Sequence, residues 1–385
     1  MNICFTPEQE KFRAEVRAFL AEEVTPELHA ETMGAIEAHV PSFYEKLAAN
    51  GWIGLTWPQE YGGQGRPATD MAIFYEEMGR NLAPLGRYVA TTVFVGGSIL
   101  SYGSQDQKQR FLPGIASGRL LGSLGMTEPD SGSDAASLRT SAVRDGDSYV
   151  VNGEKIFISG AEKADRILTA VRTNADGRTS RDGISLLLVP GGAPGLTVRA
   201  IHTVAGLRVN SVHFEDVRVP AEDLLGEEGN GWRRLQTTFG LERALSSAQL
   251  VGSLERTLAD VTRLAAGAVA AGTLEPARLD ELCECRAELE AARVLSYRAI
   301  WLDGNGKLTL DEAATAKLTR SELALRIATA GLRVLGEPAL VSGADGLLGG
   351  RVEALYRRMQ FYITAGGSND IQRNILAQQG LGLPR

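Results

Sequence analysis

Residues 124–134, Leu-Gly-Met-Thr-Glu-Pro-Asp-Ser-Gly-Ser-Asp, gather hydroxyl side chains and glycines around Thr127, Gly132 and Ser133. Exposed hydroxyls and backbone amides at that density suit the polar edge of a ring system, or a phosphate. A loop whose hydroxyls cap its own backbone explains the same residues equally well. Other chemistries have less to stand on. The histidines, His29, His39, His202 and His213, show neither metal-pair spacing nor a nucleophile elbow beside them. Cys4, Cys283 and Cys285 make an odd count, and a helical context splays the last two apart, so neither a disulfide framework nor a zinc site is expected. Residues 301–312 match a calcium loop at Asp303, Asn305, Gly306, Leu308 and Glu312, but Trp301 fills the first ligand position, where a carboxylate belongs. A tight polar turn between two helices is expected there, and no metal. Residues 347–350 lack the lysine and hydroxyl of a phosphate loop and read as a loop before a helix. Trp52, Ile53, Leu55 and Trp57 read as anchors of a loop on the core, not as a lid.

The elements that must position these residues fall into three blocks. Thr6-Pro-Glu-Gln9 supplies a cap, a first-turn proline and a capping glutamine ahead of Phe12, Val16, Phe19, Leu20 and Val24, which predicts a helix over 6–24 ended near Pro26. Helical spacing recurs over 42–50, 68–80, 88–102 and 105–116. Short β-rich runs follow over 139–144, 148–151 and 154–159, separated by Asp145-Gly146 and Asn152-Gly153, the dipeptides of two-residue hairpins. Further strands are expected over 166–173, 184–189, 196–202 and 212–219. No helix alternates with them, so a small barrel or sandwich is expected, not a doubly wound parallel sheet. Long helical blocks then cover 231–266, 275–301, 310–335, 352–363 and 368–378, the pattern of a bundle. The 40 basic and 47 acidic residues give a net charge of −7, too little positive field for a nucleic-acid partner. No stretch approaches the roughly 18 apolar residues of a membrane span, and the start is acidic and amphipathic, so a cytoplasmic protein is expected.

The Met126-Thr-Glu-Pro129 segment resembles the signature of the acyl-CoA dehydrogenase family. Further segments similar to that family follow in its order: Trp57-Pro-Gln-Glu-Tyr-Gly-Gly63, Gln107-Lys-Gln-Arg-Phe-Leu-Pro113, Asn152-Gly-Glu-Lys-Ile-Phe-Ile-Ser159, Val217-Arg-Val-Pro220 and Ala365-Gly-Gly-Ser-Asn-Asp-Ile-Gln-Arg373. The likeness runs over nearly the whole chain. It implies an α+β multidomain fold, with an N-terminal helical domain over 1–120, a central β-barrel over 121–228 and a C-terminal four-helix bundle over 229–385. It also implies FAD. Leu124, Met126, Thr127, Gly132 and Ser133 would line the flavin, with Met126 and Thr127 at its pyrimidine edge and Ser133 between flavin and substrate. Phe157, Ile158 and Ser159 would flank its other side, Ser159 near N5, while Ser368 and Asp370 meet the cofactor from the bundle.

The reaction so implied is α,β-dehydrogenation of an acyl-CoA or acyl-carrier thioester. A carboxylate takes the α-proton, the β-hydrogen leaves as hydride to flavin N5, and donors hold the thioester oxygen. In many relatives the base precedes the Gly-Thr of the C-terminal motif, where this chain has Gly366. In the isovaleryl and long-chain type it lies on the first bundle helix, and Gly240-Leu-Glu-Arg243 matches that place. The resemblance therefore makes Glu242 the base, expected in an apolar pocket. Arg243 stands on the substrate side, and Gly366 offers its amide to the thioester and leaves room for a bulky acyl group. Two departures bear on the cofactor. The Arg-x-x-Phe-Gly segment, whose arginine meets the flavin pyrophosphate of a neighbouring subunit, is missing from 263–285. Arg333 stands where a glutamine often contacts the adenosine half, beside Glu337-Pro338 in place of a Gly-Asn type turn. The implied partners are an electron-transferring flavoprotein and either a homo-oligomer, dimer or tetramer, or a mixed tetramer with a related chain, as in sterol side-chain degradation. Two alternatives are a half-site, non-catalytic subunit and a flavin oxidase or monooxygenase on the same fold.

Overall fold

The computed structural model describes residues 5–32, 35–174, 181–343 and 345–384; Cys4 lies outside them. The first helix, α1 (Pro7–Glu23), begins as its sequence dictates. Thr6 and Gln9 form a reciprocal capping box, a cap typically contributing about 1 kcal/mol, and Phe12, Val16 and Leu20 line its buried face. Pro26 opens a further short helix instead of only ending the first, because proline at a helix start loses no hydrogen bond. That helix is α2 (Pro26–Thr32), followed by α3 (Pro41–Ala49) and α4 (Ala68–Arg80). From Asp70 to Gly79 every residue of α4 is buried. The single helix expected over 88–102 is a π-helix over Val89–Gly96 running into α5 (Gly97–Tyr102). Its Thr91 hydroxyl accepts from the Gly122 amide at 3.0 Å. A second capping box, Ser104 with Gln107, starts α6 (Gln105–Ala116).

The central strands are β1 (Gly122–Gly125), β2 (Ser141–Asp145), β3 (Ser148–Ile158), β4 (Arg166–Arg172), β5 (Ile184–Pro190), β6 (Leu196–His202) and β7 (Arg208–Pro220). They form one sheet in the order β1-β4-β2-β3-β7-β6, with β5 on β4. Pairing is antiparallel except for β1 with β4 and a single bridge between β2 and β4. The sheet curls around Tyr149, Val151, Ile167, Leu187, Val212 and Val217 but is not the closed barrel expected: among the described residues β5 and β6 do not pair. Asp145-Gly146 does turn a hairpin, with Gly146 at φ 62°. Asn152-Gly153 does not. Strand β3 runs straight through it, with a register shift against β7 between Val151 and Gly153. Gly153, at φ 144°, lies so close to Thr140 that a Cβ would come within 2.7 Å of its Cα. The left-handed freedom that suits this dipeptide to a turn suits it equally to a bulge.

The C-terminal helices are α7 (Gly231–Ala270), α8 (Asp280–Gly304), α9 (Leu310–Leu335), α10 (Arg351–Thr364) and α11 (Asn369–Ile375). At 40 residues, α7 is about 60 Å long. Its first half shares a core with the N-terminal helices through Leu235, Ala244, Leu245 and Ala248. Its second half, through Leu250, Leu254, Leu258 and Val261, joins the core with α8, α9 and α10. Helices α4 and α7 meet backbone to backbone: a Cβ on Gly79 would lie 1.9 Å from the Gln249 carbonyl oxygen, and one on Gly252 2.1 Å from that of Glu76. The calcium-like segment is a turn between α8 and α9, in which the Asn305 side chain donates to the Trp301 carbonyl at 2.6 Å. Cys283 is exposed and Cys285 buried, both free, on α8.

Candidate active site

Glu242 and Arg243 sit midway along α7 and are both buried. Glu242 Oε1 accepts from the Ser246 hydroxyl one turn on, at 2.8 Å. Its Oε2 has no hydrogen-bond partner and faces Gly366, where an added Cβ would lie 3.5 Å from it with nothing else within 4 Å. Gly366 at φ 69° and Gly367 at φ 85° make the reversal between α10 and α11, a conformation that L-residues resist. Arg243 Nε donates to the Gly366 carbonyl at 3.0 Å, and Gln372 Nε2 to that of Gly367 at 3.0 Å. Lys317, fully enclosed on α9, donates to Asn369 Oδ1 at 2.7 Å, where the Ser321 hydroxyl also donates at 2.9 Å. An unpartnered carboxylate oxygen thus faces a glycine turn that three helices hold in place.

The surroundings are not the apolar pocket expected of the sequence. Three buried cations, Arg243, Lys317 and Arg320, surround this one carboxylate. Burial lowers the pKa of each, and the charge of Glu242 opposes that in each. For Lys317, repulsion from Arg320 and Arg243 adds to burial and brings it down to about 7. Tyr75, fully buried on α4, has its phenol pushed up by burial, with a further contribution from Glu242.

The second group of residues converges at one end of the sheet. Ser123 Oγ donates to the Ser159 carbonyl at 2.9 Å, and the Ile156 amide to that of Thr127 at 2.8 Å, so residues 124–133 and 157–159 lie side by side. Phe157 combines a φ of 61° with a ring 58% exposed. A bulky residue held there is strained, the sort of outlier that clusters at functional sites. Gly132, Ser133 and Ser159 are exposed and Leu124 and Thr127 half-buried, while Met126 is buried and Ile158 packs inside the sheet. Ser131 and Ser137 cap their own loop on the Asp134 carbonyl. The hydroxyls of Thr127, Ser133 and Ser159, by contrast, make no hydrogen bond among the described residues. The π-helix connects the two groups. Its Thr91 meets β1 at Gly122, and its Phe94 meets Phe239, one turn before Glu242, with ring centroids 5.6 Å apart.

Three expected residues lie elsewhere or are engaged otherwise. Ser368 caps α11 by accepting from the Ile371 amide, and Asp370 accepts from Arg373 at 3.0 Å on the surface. Arg333 is 13 residues beyond Arg320 on α9, roughly 20 Å along the helix, exposed and paired with Glu281 at 3.1 Å. Within one chain it does not join either group.

The chain matches the descriptions "Acyl-CoA dehydrogenase, N-terminal domain" over residues 6–119, "middle domain" over 123–217 and "C-terminal domain" over 229–381. It belongs to the acyl-CoA dehydrogenase family. It is 37% identical to acyl-CoA dehydrogenase FadE26 of Mycobacterium tuberculosis, covering 100% of this chain and 99% of that one. To the human mitochondrial short-chain specific acyl-CoA dehydrogenase it is 32% identical, over 86% and 81% of the two chains. Among solved structures it is similar to the steroid ACAD Tcur3481-Tcur3483 (TM-score 0.89, 32% identity, 100% of both chains). It is likewise similar to the ChsE4-ChsE5 complex from Mycobacterium tuberculosis (TM-score 0.86, 35% identity, 100% of both). Acyl-CoA dehydrogenases are FAD-dependent oxidoreductases. The three orphan hydroxyls and the outward Phe157 ring at the sheet end fit a flat cofactor with polar edges.

Two residues that set this end of an acyl-CoA dehydrogenase were not singled out from sequence. Lys155, fully enclosed, donates to Glu128 Oε1 at 2.8 Å and to the Met126 carbonyl at 3.2 Å. Glu128 in turn accepts from the Arg139 and Thr140 amides at 2.6 and 2.9 Å, so the pair sets the loop carrying Thr127 and Ser133. The signal was there: Lys155 continues the inward alternation of Tyr149 and Val151 on β3. Burial brings Lys155 down to about 8, against the pull of Glu128. Burial raises the Glu128 carboxyl, but the Lys155 charge and the bonds it accepts outweigh this and leave it below the usual range. That depressed value contributes stability above the unfolded carboxylate pKa, lost as pH falls through the folded one. Glu128→Gln, which strands the lysine, is expected to cost about 3–5 kcal/mol, read from the urea midpoint at pH 7. The gap from the parent should narrow in acid.

Proposed function

We propose that this chain catalyses FAD-dependent α,β-dehydrogenation of an acyl-CoA thioester, with Glu242 taking the α-proton. The observation that carries this reading is Glu242 itself, one oxygen held by Ser246 and the other turned, without a partner, to the open space at Gly366. A bound flavin supplies the acceptor for the electron pair that leaves with the β-hydrogen. Leu124, Met126, Thr127, Gly132 and Ser133 would hold it from one segment, and Phe157, Ser159 and the backbone of Ile158 from the segment beside it. Ser368, the cap of α11, and Asp370, once released from Arg373, would meet it from the bundle side. Ser133, Arg243 and the Gly366 turn border the acyl group, with Arg243 fixing the turn through its carbonyl. Without a side chain at Gly366 the site accommodates a bulky acyl group, in keeping with the steroid ACADs among its relatives. The three family-matched segments act as an N-terminal helical domain over 1–120, a β domain over 121–228 and a helical bundle over 229–385. Electrons pass on to an electron-transferring flavoprotein.

A second reading concerns assembly. Arg333 is exposed at the far end of α9, away from both groups of site residues, the position of a residue that serves a neighbouring copy or an unlike related chain. A visible spectrum of the chain purified alone, followed by anaerobic addition of a steroid acyl-CoA, tests both readings. One flavin per chain, bleached by the thioester, is the result expected of a self-sufficient dehydrogenase. A colourless chain would move the weight to a mixed assembly. Flavin that stays oxidised with every thioester offered would sink the dehydrogenase reading. Rapid reoxidation by air would mark an oxidase.

A further inference from the structure

Arg320 lies on α9, three residues beyond Lys317, and is 6% exposed. Among the described residues no carboxylate stands within 4.0 Å of it. Its one hydrogen bond is a long one, Nη1 to the Ser246 carbonyl at 3.4 Å, and its Nε has no partner. A buried, unpaired guanidinium is expensive to keep. The residue it touches is the same Ser246 whose hydroxyl holds Glu242 Oε1, while Glu242 Oε2 is itself without a partner. Two opposite charges, each incompletely satisfied, therefore lie on α9 and α7 within electrostatic reach of each other, and both bond Ser246, one at its carbonyl and one at its hydroxyl.

We propose that Arg320 is a positioning residue for Glu242, compensating the carboxylate charge across the α7–α9 interface and fixing Ser246 so that Oε2 is turned to Gly366. This rests on the reading of Glu242 as the proton-taking group. The other groups around Glu242 have different duties. From α7, Arg243 is spent on the Gly366 carbonyl; from α9, Lys317 holds Asn369. Tyr75 from α4 is neutral, and so is Tyr362 from α10, which stands near Arg320. Lys317, brought down to about 7, changes charge across the neutral range, whereas a guanidinium keeps its proton throughout.

The test compares Arg320→Gln and Arg320→Lys with the parent holoenzyme. One readout is the pH profile of flavin bleaching by acyl-CoA. The other, independent of turnover, is an infrared titration of the Glu242 carboxyl band, assigned by its loss in Glu242→Gln. Melting temperature and flavin per chain show that Arg320→Gln is folded and loaded before its profile is compared with the parent's. Its acid limb and its infrared midpoint should both rise by about one pH unit or more, and Arg320→Lys should restore most of the shift. A midpoint that stays put in Arg320→Gln overturns the proposal. If the glutamine variant does not fold, Arg320→Lys carries the test: its midpoint should stay within about half a unit of the parent, and a larger shift counts against the proposal. Failure of the functional reading looks different, because Glu242→Gln would then bleach as fast as the parent while the infrared midpoint still followed Arg320.

Discussion

Glu242→Gln is expected to give a folded, flavin-bearing protein whose bleaching by acyl-CoA is slower by about two to four orders of magnitude, the usual worth of a positioned general base. The amide keeps the volume of the carboxylate, and its oxygen can still accept from Ser246, so the geometry around Oε1 survives. The missing charge removes the carboxylate that offsets the burial of Arg243, Lys317 and Arg320 together. Lys317 relieves that, because a group already brought down to about 7 can release its proton at little cost. Stopped-flow absorbance under anaerobic conditions measures the rate, with flavin per chain and melting temperature as controls. Equal bleaching rates for variant and parent would remove Glu242 from its role, whatever the fate of the rest of the site.

Gly252→Ala is expected to be the most damaging single methyl group in the long helix. Its Cβ would stand 2.1 Å from the Glu76 carbonyl oxygen and 2.7 Å from the Arg80 amide nitrogen. Both are backbone atoms, so no rotamer change relieves the clash and α4 must move bodily away from α7. Overpacking costs typically 1–3 kcal/mol; a contact with main chain belongs at the top of that range, about 3 kcal/mol. The same helix supplies the control. A Cβ on Gly267 meets nothing within 4 Å, and Gly267→Ala should stabilise by about 0.5–1 kcal/mol, because alanine loses less chain freedom in a helix. Urea midpoints of the two variants should therefore fall on opposite sides of the parent. Because α4 also carries Tyr75, the Gly252 variant should slow bleaching as well. A parental midpoint for Gly252→Ala would refute the backbone contact.

Local signals made much of the helical architecture legible. The capping boxes at Thr6 with Gln9 and at Ser104 with Gln107 are written within four residues each, and both form as read. Where two structures share one local requirement, the sequence was ambiguous. Asn152-Gly153 answers the positive φ of a bulge as well as that of a turn, and only its pairing with β7 and its closeness to Thr140 decide between them. The π-helix over Val89–Gly96 carries no sequence period that separates it from an α-helix. Closure of the sheet depends on whether two strands at opposite ends meet, which neither strand encodes alone. At the site, the approach of Glu242 to Gly366 joins residues more than a hundred positions apart. Without the family likeness, Glu242 would have read as one more charged position on a helix. Lys317 and Arg320 were legible in principle, as charges on the stripe of Ala313, Ala316, Ala324 and Ile327 that α9 turns to the core.

The backbone contact between α4 and α7 also has a meaning in time. Glu76 and Gly252 touch, yet the ribosome makes one long before the other, and at about 5–20 residues per second α4 waits roughly ten to thirty seconds for the helix that covers it. During that interval the side of α4 that α7 will cover, from Tyr75 to Arg80, has no partner. The nascent chain therefore spends its synthesis with a sticky helix on display. Chaperones that hold this helix until α7 emerges should raise the yield of folded protein, whereas slower elongation lengthens the wait and should lower it.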